Sequence, residues 1–440
     1  MKELSLAALM LCASTAWSYI VSGTTYTTNG SESDVQGAIN AARDGATIRI
    51  QNGSYTWNRQ VTNSKNTAVH IMAESLGGVT VKRGYKSGHL LVINASSHGN
   101  VELSGIHFTS DLDGSSDNYT FTLFVNQLTG QPVLIHDCSF VTGYEYAMLF
   151  QGNGGVVWNC SFATHSDGLG GISFVETSPT CAPWNRPDTL GGSPTRYGSG
   201  DPTGTLNTYV ESCYFRDAAI TMANFDDNSR VVWRHNEMYN AAVASHGQET
   251  STWGTRHWEV YGCTFTRTAS GKAFAGTAYP LNLNYWFEIR GGTGVVTNNK
   301  MDDIPSKVGL QLNVFSINRL GQIPCQTGYP AAHQTGQGWS ASSKAAFGTP
   351  RVGQDGIGAV SDPLYFWNNT GSLTTDPNYV APSQYSPDEC AKGQKIETFL
   401  QRNRDYFVNV AMPQWTPFTY PHSLRNKALG PTGSGPLQLQ

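Results

Sequence analysis

The sequence predicts an all-β protein, folded as a single parallel β-helix in which short strands stack coil upon coil. The first observation is a repeated motif, residues 156–162 in its clearest copy, that alternates apolar and polar residues around a tight bend. The second is its period, because the closest copies lie 22, 23 and 27 residues apart, a spacing typical of solenoids. The third is composition, since 47 glycines and 14% charged residues suit many turns around a stacked core.

One position of the motif, just after the bend, returns as cysteine or asparagine. Stacked coils bring equivalent residues about 4.8 Å apart, so this position predicts a column of side chains inside the solenoid. Asparagine can donate and accept hydrogen bonds along such a column, and cysteine fills the same place as a small hydrophobe. An antiparallel sandwich with chance repetition leaves this recurrence unexplained. The column consists of Cys138, Cys160, Cys213, Asn236, Cys263 and Asn299.

The chain of 440 residues is predicted to hold one domain between two short terminal segments. Residues 1–18 have the composition of a secretory signal peptide, so we expect a secreted protein, either periplasmic or extracellular. Residues 19–425 form the predicted β-helix, with loop insertions near 176–206 and 316–358. Residues 426–440 are predicted to be a disordered tail.

Charge and cysteine usage narrow the partners and the compartment. A net charge of −4 and the lack of a basic run argue against nucleic acid, and the apolar run of the signal peptide is too short to span a bilayer. We expect the cysteines of the column to be buried free thiols. Cys12 lies within the signal peptide. The remaining three lie in loops, where one pair is expected to form a disulfide in an exported protein, with Cys325–Cys390 preferred over pairings that use Cys181. The oligomeric state stays open.

A short amphipathic helix is predicted over residues 33–43, ahead of the first regular coils. Ser33 or Asp34 can cap its N-terminus, and Val35, Ala38 and Ile39 belong to its apolar side. A solenoid exposes its apolar core at an open end. We therefore expect this helix to cap the first coil.

The region around this helix resembles a known family. Residues 34–36, Asp-Val-Gln, and residues 45–55 resemble the N-terminal part of pectate-lyase-like right-handed parallel β-helix proteins, and the repeats around Cys160 resemble their coils. The resemblance covers residues 30–425, and it implies a right-handed solenoid that acts on a polysaccharide.

The catalytic segments of that superfamily do not carry over as a set, so no subfamily is identified. The Arg-x-Pro-x-x-Arg segment of pectate lyases does not occur in the sequence. Asp226-Asp227 and Ser245-His246-Gly247 match polygalacturonase segments in part, but the Asn-Thr-Asp segment of those enzymes does not occur.

Candidate chemistry concentrates on three consecutive coils, within residues 224–292. In a lyase of uronic-acid polymers, a base removes the proton beside the carboxylate while a cation neutralises that carboxylate. His246 fits the base, because histidine titrates near neutral pH, and Arg256 fits a bidentate carboxylate contact. Asp226 and Asp227 offer the hard oxygen ligands that Ca²⁺ prefers, which makes calcium a candidate cofactor.

Two alternatives to this favoured lyase stay open. In a glycoside hydrolase, two carboxylates flank the scissile bond, and Asp226, Asp227 and Glu249 are then the candidates. In a non-catalytic glycan-binding or surface-structural β-helix, such as an adhesin or spike, the Asp-Asp pair would form only a turn. Residues expected to contact the polysaccharide are His257, Arg230, Trp253, Trp286, Glu288 and Arg290.

Overall fold

The computed structural model describes most of the solenoid but not all of its connections. The signal-peptide region, most of both insertions and the three loop cysteines lie outside the described residues, so the expectations for them remain predictions. The described residues are 18–64, 66–110, 120–143, 146–164, 171–175, 201–217, 222–226, 229–246, 255–267, 271–272, 278–279, 286–302, 310–312, 335–338, 360–371 and 401–439.

Three long sheets, which we name A, B and C, run through the described residues. Sheet A contains Ile20–Ser22, Thr25–Thr28, Ala46–Ile50, Val69–Ala73, Glu102–Ser104, Leu134–His136, Val156–Trp158, Thr208–Glu211, Arg230–Arg234, His257–Tyr261, Thr293–Thr297, Leu364–Trp367 and Tyr406–Val408. Sheet B contains Gly53–Trp57, Val79–Arg83, Ile106–Thr109, Ser139–Thr142, Ser161–Thr164, Tyr214–Arg216, Glu237–Tyr239, Thr264–Thr266, Lys300–Asp302 and Thr370–Gly371. Sheet C contains Val61–Thr62, Leu91–Asn94, Phe121–Asn126, Tyr146–Gln151, Ile172–Val175, Ala223–Phe225, Val243–Ser245, Phe287–Ile289 and Leu310–Leu312.

From Ala46 onward the chain visits the three sheets in the order A, B, C and then repeats, so strands of successive coils pair in parallel, whereas Ile20–Ser22 pairs antiparallel with Thr25–Thr28. In sheet B, for example, His107 pairs with Thr80 of one neighbouring strand and Ser139 of the other. This is the parallel β-helix that the repeat period predicts. Outside the three sheets lie two short antiparallel pairs, Gly271–Lys272 with Ala278–Tyr279 and Gln337–Gly338 with Val360–Ser361.

Equivalent inward residues stack along the solenoid and form its core. The rings of Phe140, Phe162 and Phe215 lie in consecutive coils, with centroids 5.0 Å and 4.7 Å apart and nearly parallel planes. Sheets A and B meet at a bend so tight that its residue adopts a left-handed backbone. Asn159, with φ of 51°, is one such residue, and asparagine tolerates this conformation better than most residues do.

The predicted cysteine and asparagine column lies directly after these bends. Its four cysteines are buried and unbridged, as expected. The side chain of Asn236 accepts a hydrogen bond from the backbone N–H of Cys213 at 2.8 Å and donates to the carbonyl of Val210 at 3.0 Å. Asn299 makes the equivalent bond to the N–H of Cys263 at 2.9 Å. The amide therefore links successive coils, as the sequence predicts.

A single α-helix, Glu32–Ala41, occurs within the described residues; it begins one residue earlier and ends two residues earlier than predicted. Its N-cap is Ser31 rather than Ser33 or Asp34, and the Ser31 hydroxyl accepts a hydrogen bond from the N–H of Asp34. Val35, Ala38 and Ile39 are buried in the main core, as the apolar pattern predicts. The helix contacts the first strands of sheets A and C.

Residues 415–439 run along the outer face of sheet A, and we name them the C-terminal strap. Phe418 and Leu424 of the strap pack on outward residues of sheet A, among them Trp158 and Tyr209. The short 3₁₀ helix Ser423–Lys427 lies within the strap. The structure describes this strap up to residue 439, and the disorder expected at 426–440 remains a prediction.

Buried charges on sheet A explain why the strap has a defined path. The guanidinium of Arg234 donates to the backbone carbonyls of Phe418 and Thr419 at 2.8 and 2.9 Å. The Glu211 carboxylate beside it accepts the N–H of His422 at 3.0 Å. These bonds are made to backbone groups, so they do not depend on the strap's own side chains. Within the described residues, no helix is long and apolar enough to cross a membrane.

Candidate functional site

The outer face of sheet C lies between the longest connections of the solenoid. By chain position, sheet C is entered and left through long segments, such as the 32 residues between Val175 and Thr208, whereas sheets A and B are joined by tight bends. Functional residues of a solenoid are expected on its outer surface and loops, because its interior is packed. We therefore expect functional residues on the outer face of sheet C.

Register brings three ionisable residues side by side on this face. Phe225, Ser245 and Ile289 pair across three adjacent strands and point inward. Successive residues of a strand alternate between faces, so the residues that follow them, Asp226, His246 and Arg290, lie on the outer face. Adjacent strands are about 4.8 Å apart, which places the three side chains within reach of one ligand. Asp226 and His246 are in direct contact.

The imidazole of His246 contacts the carboxylate of Asp226. The distance from Nδ1 of His246 to Oδ2 of Asp226 is 3.2 Å, and both side chains are partly exposed, at 14% and 13%. An ionised carboxylate only accepts hydrogen bonds, so a proton on Nδ1 would let the imidazole donate to Asp226. Such a contact orients the ring and favours one tautomer.

Glu288 and Arg290 occupy the next strand of the same face. The guanidinium Nε of Arg290 lies 3.9 Å from a carboxylate oxygen of Glu288, and both side chains are about as exposed as His246, at 14% and 15%. On the other side of His246, the amide of Asn224 donates to the hydroxyl of Ser173 at 3.2 Å. The face thus carries a positive group, an acid–base pair and neutral hydrogen-bonding groups in adjacent coils.

Tyr146 belongs to the electrostatic environment of this face, although no sequence motif pointed to it. Burial is the largest influence and raises the pKa of Tyr146, while the positive charge of Arg290 opposes the rise and the charge of Asp226 adds to it. The hydroxyl therefore keeps its proton at neutral pH. A tyrosine at the start of a strand looks like any other aromatic in the sequence, so only spatial proximity reveals it.

The structure does not bring Arg256 to this face. Its side chain is fully buried, and both terminal nitrogens lie 3.2 Å from Oδ2 of Asp362. Nη1 of Arg256 also lies 3.3 Å from the hydroxyl of Thr293. The expected carboxylate partner is thus present, but it is a carboxylate of the protein itself. A buried charge of this kind needs its ion-pair partner to offset desolvation.

Three of the predicted substrate-contacting residues are also placed elsewhere. Arg230 and His257 pair on neighbouring strands of sheet A and are buried, with His257 Nε2 3.5 Å from the carboxylate of Glu259. Trp286 is fully buried in the core, and the guanidinium of Arg267 lies 4.2 Å from its ring centre. None of the three lies on the outer face of sheet C.

The remaining candidates, Asp227, Glu249 and Trp253, lie outside the described residues, so their roles remain predictions. Among the residues that the structure does describe, no group of three or more His, Cys, Asp or Glu side chains is arranged to hold a metal ion. Asp226, the described member of the proposed calcium pair, contacts His246 instead. The calcium site remains an untested prediction.

Comparisons with known proteins find only distant similarities. No protein-family model matches the chain, and no curated protein matches it. Among solved structures, a family 6 polysaccharide lyase from Pseudopedobacter saltans shares 13% identity over 95% of this chain and 93% of its own, with a TM-score of 0.40. An alginate lyase from Paenibacillus shares 12% identity over 65% of this chain and 97% of its own, with a TM-score of 0.31.

A third solved structure is a mannuronic-acid-specific family 6 lyase from human gut microbiota. It shares 14% identity over 81% of this chain and 78% of its own, with a TM-score of 0.30.

Proposed function

We propose that the protein is a polysaccharide lyase that cleaves polymers containing uronic acids by β-elimination. The observation that carries the proposal is the His246–Asp226 pair, with Nδ1 to Oδ2 at 3.2 Å, lying next to Arg290 on the outer face of sheet C. β-Elimination needs a base and a positive charge within the length of one sugar ring. The register of three adjacent strands supplies that arrangement.

His246 is assigned as the base. Its Nε2 takes the proton from C5 of the uronate, and the electron pair of that C–H bond forms the double bond between C4 and C5. The bond from C4 to the glycosidic oxygen breaks, and that oxygen leaves with its electron pair. Asp226 holds the ring through Nδ1 and stabilises the imidazolium that forms.

Arg290 takes the role that the sequence suggested for Arg256. Its guanidinium neutralises the uronate carboxylate, which makes the C5 proton more acidic and stabilises the charge that develops on the carboxylate. The leaving oxygen takes its proton from solvent water, because the outer face of sheet C is partly exposed.

Two further features belong to the proposal. We propose export through residues 1–18, since a polymer of this kind is met outside the cytoplasm.

We also keep Ca²⁺ as a candidate cofactor with Asp226 and Asp227 as ligands, where it would add positive charge near the carboxylate. Chelation followed by re-addition of Ca²⁺ tests this part, and activity that is unaffected by either step would refute it.

The test is an incubation of the mature protein with acidic and neutral polysaccharides. A lyase produces a new unsaturated end that absorbs in the ultraviolet, whereas a glycoside hydrolase produces reducing ends without that chromophore. Retention on a glycan column without any cleavage would indicate a binding protein. Either of the last two results would refute the lyase.

Matched variants test the assignment of the base. His246→Ala should abolish the chromophore while leaving the circular dichroism spectrum unchanged. His98→Ala is the control, because His98 also contacts a carboxylate, that of Asp44 at 2.9 Å, but at an exposed site far along the chain. Full activity in His246→Ala would show that another group is the base.

A further inference from the structure

The loop that follows His246 is closed at its base by a reciprocal contact. His246 and Thr255 are separated by eight residues of the chain. The N–H of Thr255 donates to the carbonyl of His246 at 2.8 Å, and the N–H of His246 lies 3.2 Å from the hydroxyl of Thr255. The two residues at the ends of the loop therefore hold each other.

The hydroxyl of Thr255 also connects His246 to the preceding coil. It donates to the carbonyl of Phe225, and that same carbonyl accepts the N–H of His246 at 2.7 Å. Phe225 immediately precedes Asp226, the partner of the imidazole. Thr255 is fully buried. Its hydroxyl contacts the backbone of His246 and that of Phe225, the residue before Asp226.

Arg256 connects the chain at Thr255 to segments of later coils. Its backbone N–H donates to the carbonyl of Ser229 at 3.2 Å, while its guanidinium bonds to Asp362 and Thr293. The hydroxyl of Thr293 in turn lies 3.2 Å from the Asp362 carboxylate. The chain on the C-terminal side of Thr255 is thus fixed by a buried ion pair.

We infer that Thr255 and Arg256 are positioning residues that hold His246 against Asp226. Neither reaches the outer face of sheet C, so neither contacts the polymer. Thr255 fixes the position of the His246 backbone, and Arg256 fixes the position of Thr255. The kinetic part of this inference rests on the proposed lyase activity, but the effect on the His246 ring does not.

The central experiment compares Thr255→Val with Thr255→Ser in the full mature chain. Valine keeps the shape of threonine without its hydroxyl, whereas serine keeps the hydroxyl. Nitrogen-15 NMR of the imidazole reports which ring nitrogen carries the proton. In the wild type and in Thr255→Ser we expect the proton on Nδ1, and in Thr255→Val we expect a mixture of the two tautomers.

Steady-state kinetics on the uronate polymer provides the second readout. Misplacing a catalytic group by about 1 Å costs on the order of 100-fold in rate, so we expect kcat to fall ~10- to 100-fold in Thr255→Val. KM should stay within about twofold, because the groups that bind the polymer are untouched. Arg256→Lys loses the planar fork that holds Asp362, and it should lower kcat in the same direction.

Each outcome decides between the claims. A wild-type tautomer and kcat in Thr255→Val, or the same losses in Thr255→Ser, would overturn the role of the Thr255 hydroxyl. An unchanged kcat in Arg256→Lys would overturn the part assigned to Arg256. A tautomer change without lyase activity in any form of the protein would support the positioning role and refute the proposed function. If Thr255→Val does not fold, Thr255→Ala replaces it with the same expectations.

Discussion

Alkaline pH should weaken the attachment of the C-terminal strap, through one buried histidine. His136 lies beneath the strap, with Nδ1 2.8 Å from the Asp137 carboxylate and Nε2 3.0 Å from the Glu102 carboxylate. Glu102 also accepts the backbone N–H groups of Leu429 and Gly430. The charge of His136 therefore stabilises the carboxylate that holds the strap.

The size of the effect follows from the pKa of His136. Burial alone would lower this pKa, but hydrogen bonds with Asp137 and Glu102 outweigh burial and raise it to about 9. The ordinary value is 6.5, so the rise of about 2.5 units corresponds to about 3 kcal/mol. Because the folded-state pKa is the higher one, this stability is fully present below pH 6.5 and is lost as the pH rises through about 9.

Glu102 changes its protonation only at acidic pH, so it does not contribute to the stability change measured at alkaline pH. Burial alone would raise its pKa, but hydrogen bonds from His136, His70 and Leu429 lower it well below the usual range. A lowered carboxylate pKa contributes stability that is lost only as the pH falls. His70 at 3.3 Å from Glu102, and Arg425 above the Trp158 ring that stacks on His136, are the other charged or titratable groups here.

The assay is urea unfolding across the range from pH 6 to pH 9.5, on the wild type and on His136→Gln. We expect the free energy of unfolding of the wild type to fall by about 3 kcal/mol relative to that of the variant. Trypsin cleavage at the exposed Lys427 should become faster over the same range, which localises the change to the strap. His98→Gln, at an exposed histidine, should follow the wild type.

Two results would refute this reasoning. One is a free energy of unfolding that depends on pH equally in the wild type and in His136→Gln, since the dependence would then come from other groups. The other is loss of stability without faster cleavage at Lys427, since His136 would then act on the solenoid rather than on the strap.

Three further predictions concern the column, the site and the strap. Asn236→Ala should lower the free energy of unfolding by about 1–3 kcal/mol in urea, because the buried N–H of Cys213 loses its acceptor. Arg290→Gln should lower kcat/KM on a uronate polymer ~100- to 1000-fold, as expected for removing one group that stabilises developing charge; an unchanged value would remove Arg290 from the mechanism. Deletion of residues 415–440 should lower Tm by more than about 5 °C and increase binding of an apolar dye, because it uncovers sheet A and removes the carbonyl partners of Arg234; an unchanged Tm would show that the strap does not stabilise the solenoid.

The candidate site shows where sequence reasoning stops. The recurrence of the coils predicted that Asp226 and His246 lie close together, because period and register are properties of the chain order. The direction of each side chain is not contained in that order. Arg256 lies next to the predicted site in the sequence, yet it points into the interior, where Asp362 from a much later segment neutralises it. Arg290 faces the site from the strand that follows.

What the sequence by itself determined is the coil, its period and the column of Cys160 and its equivalents, since a solenoid repeats the same local interactions in every turn. What only the tertiary structure decided is the set of contacts between distant segments. The strap lies on sheet A because buried charges such as Glu102 bind its backbone amides, and backbone groups leave no signature in the sequence. The electrostatic influence of Asp226 and Arg290 on Tyr146 was hidden for a related reason, because those two residues come from coils further along the chain.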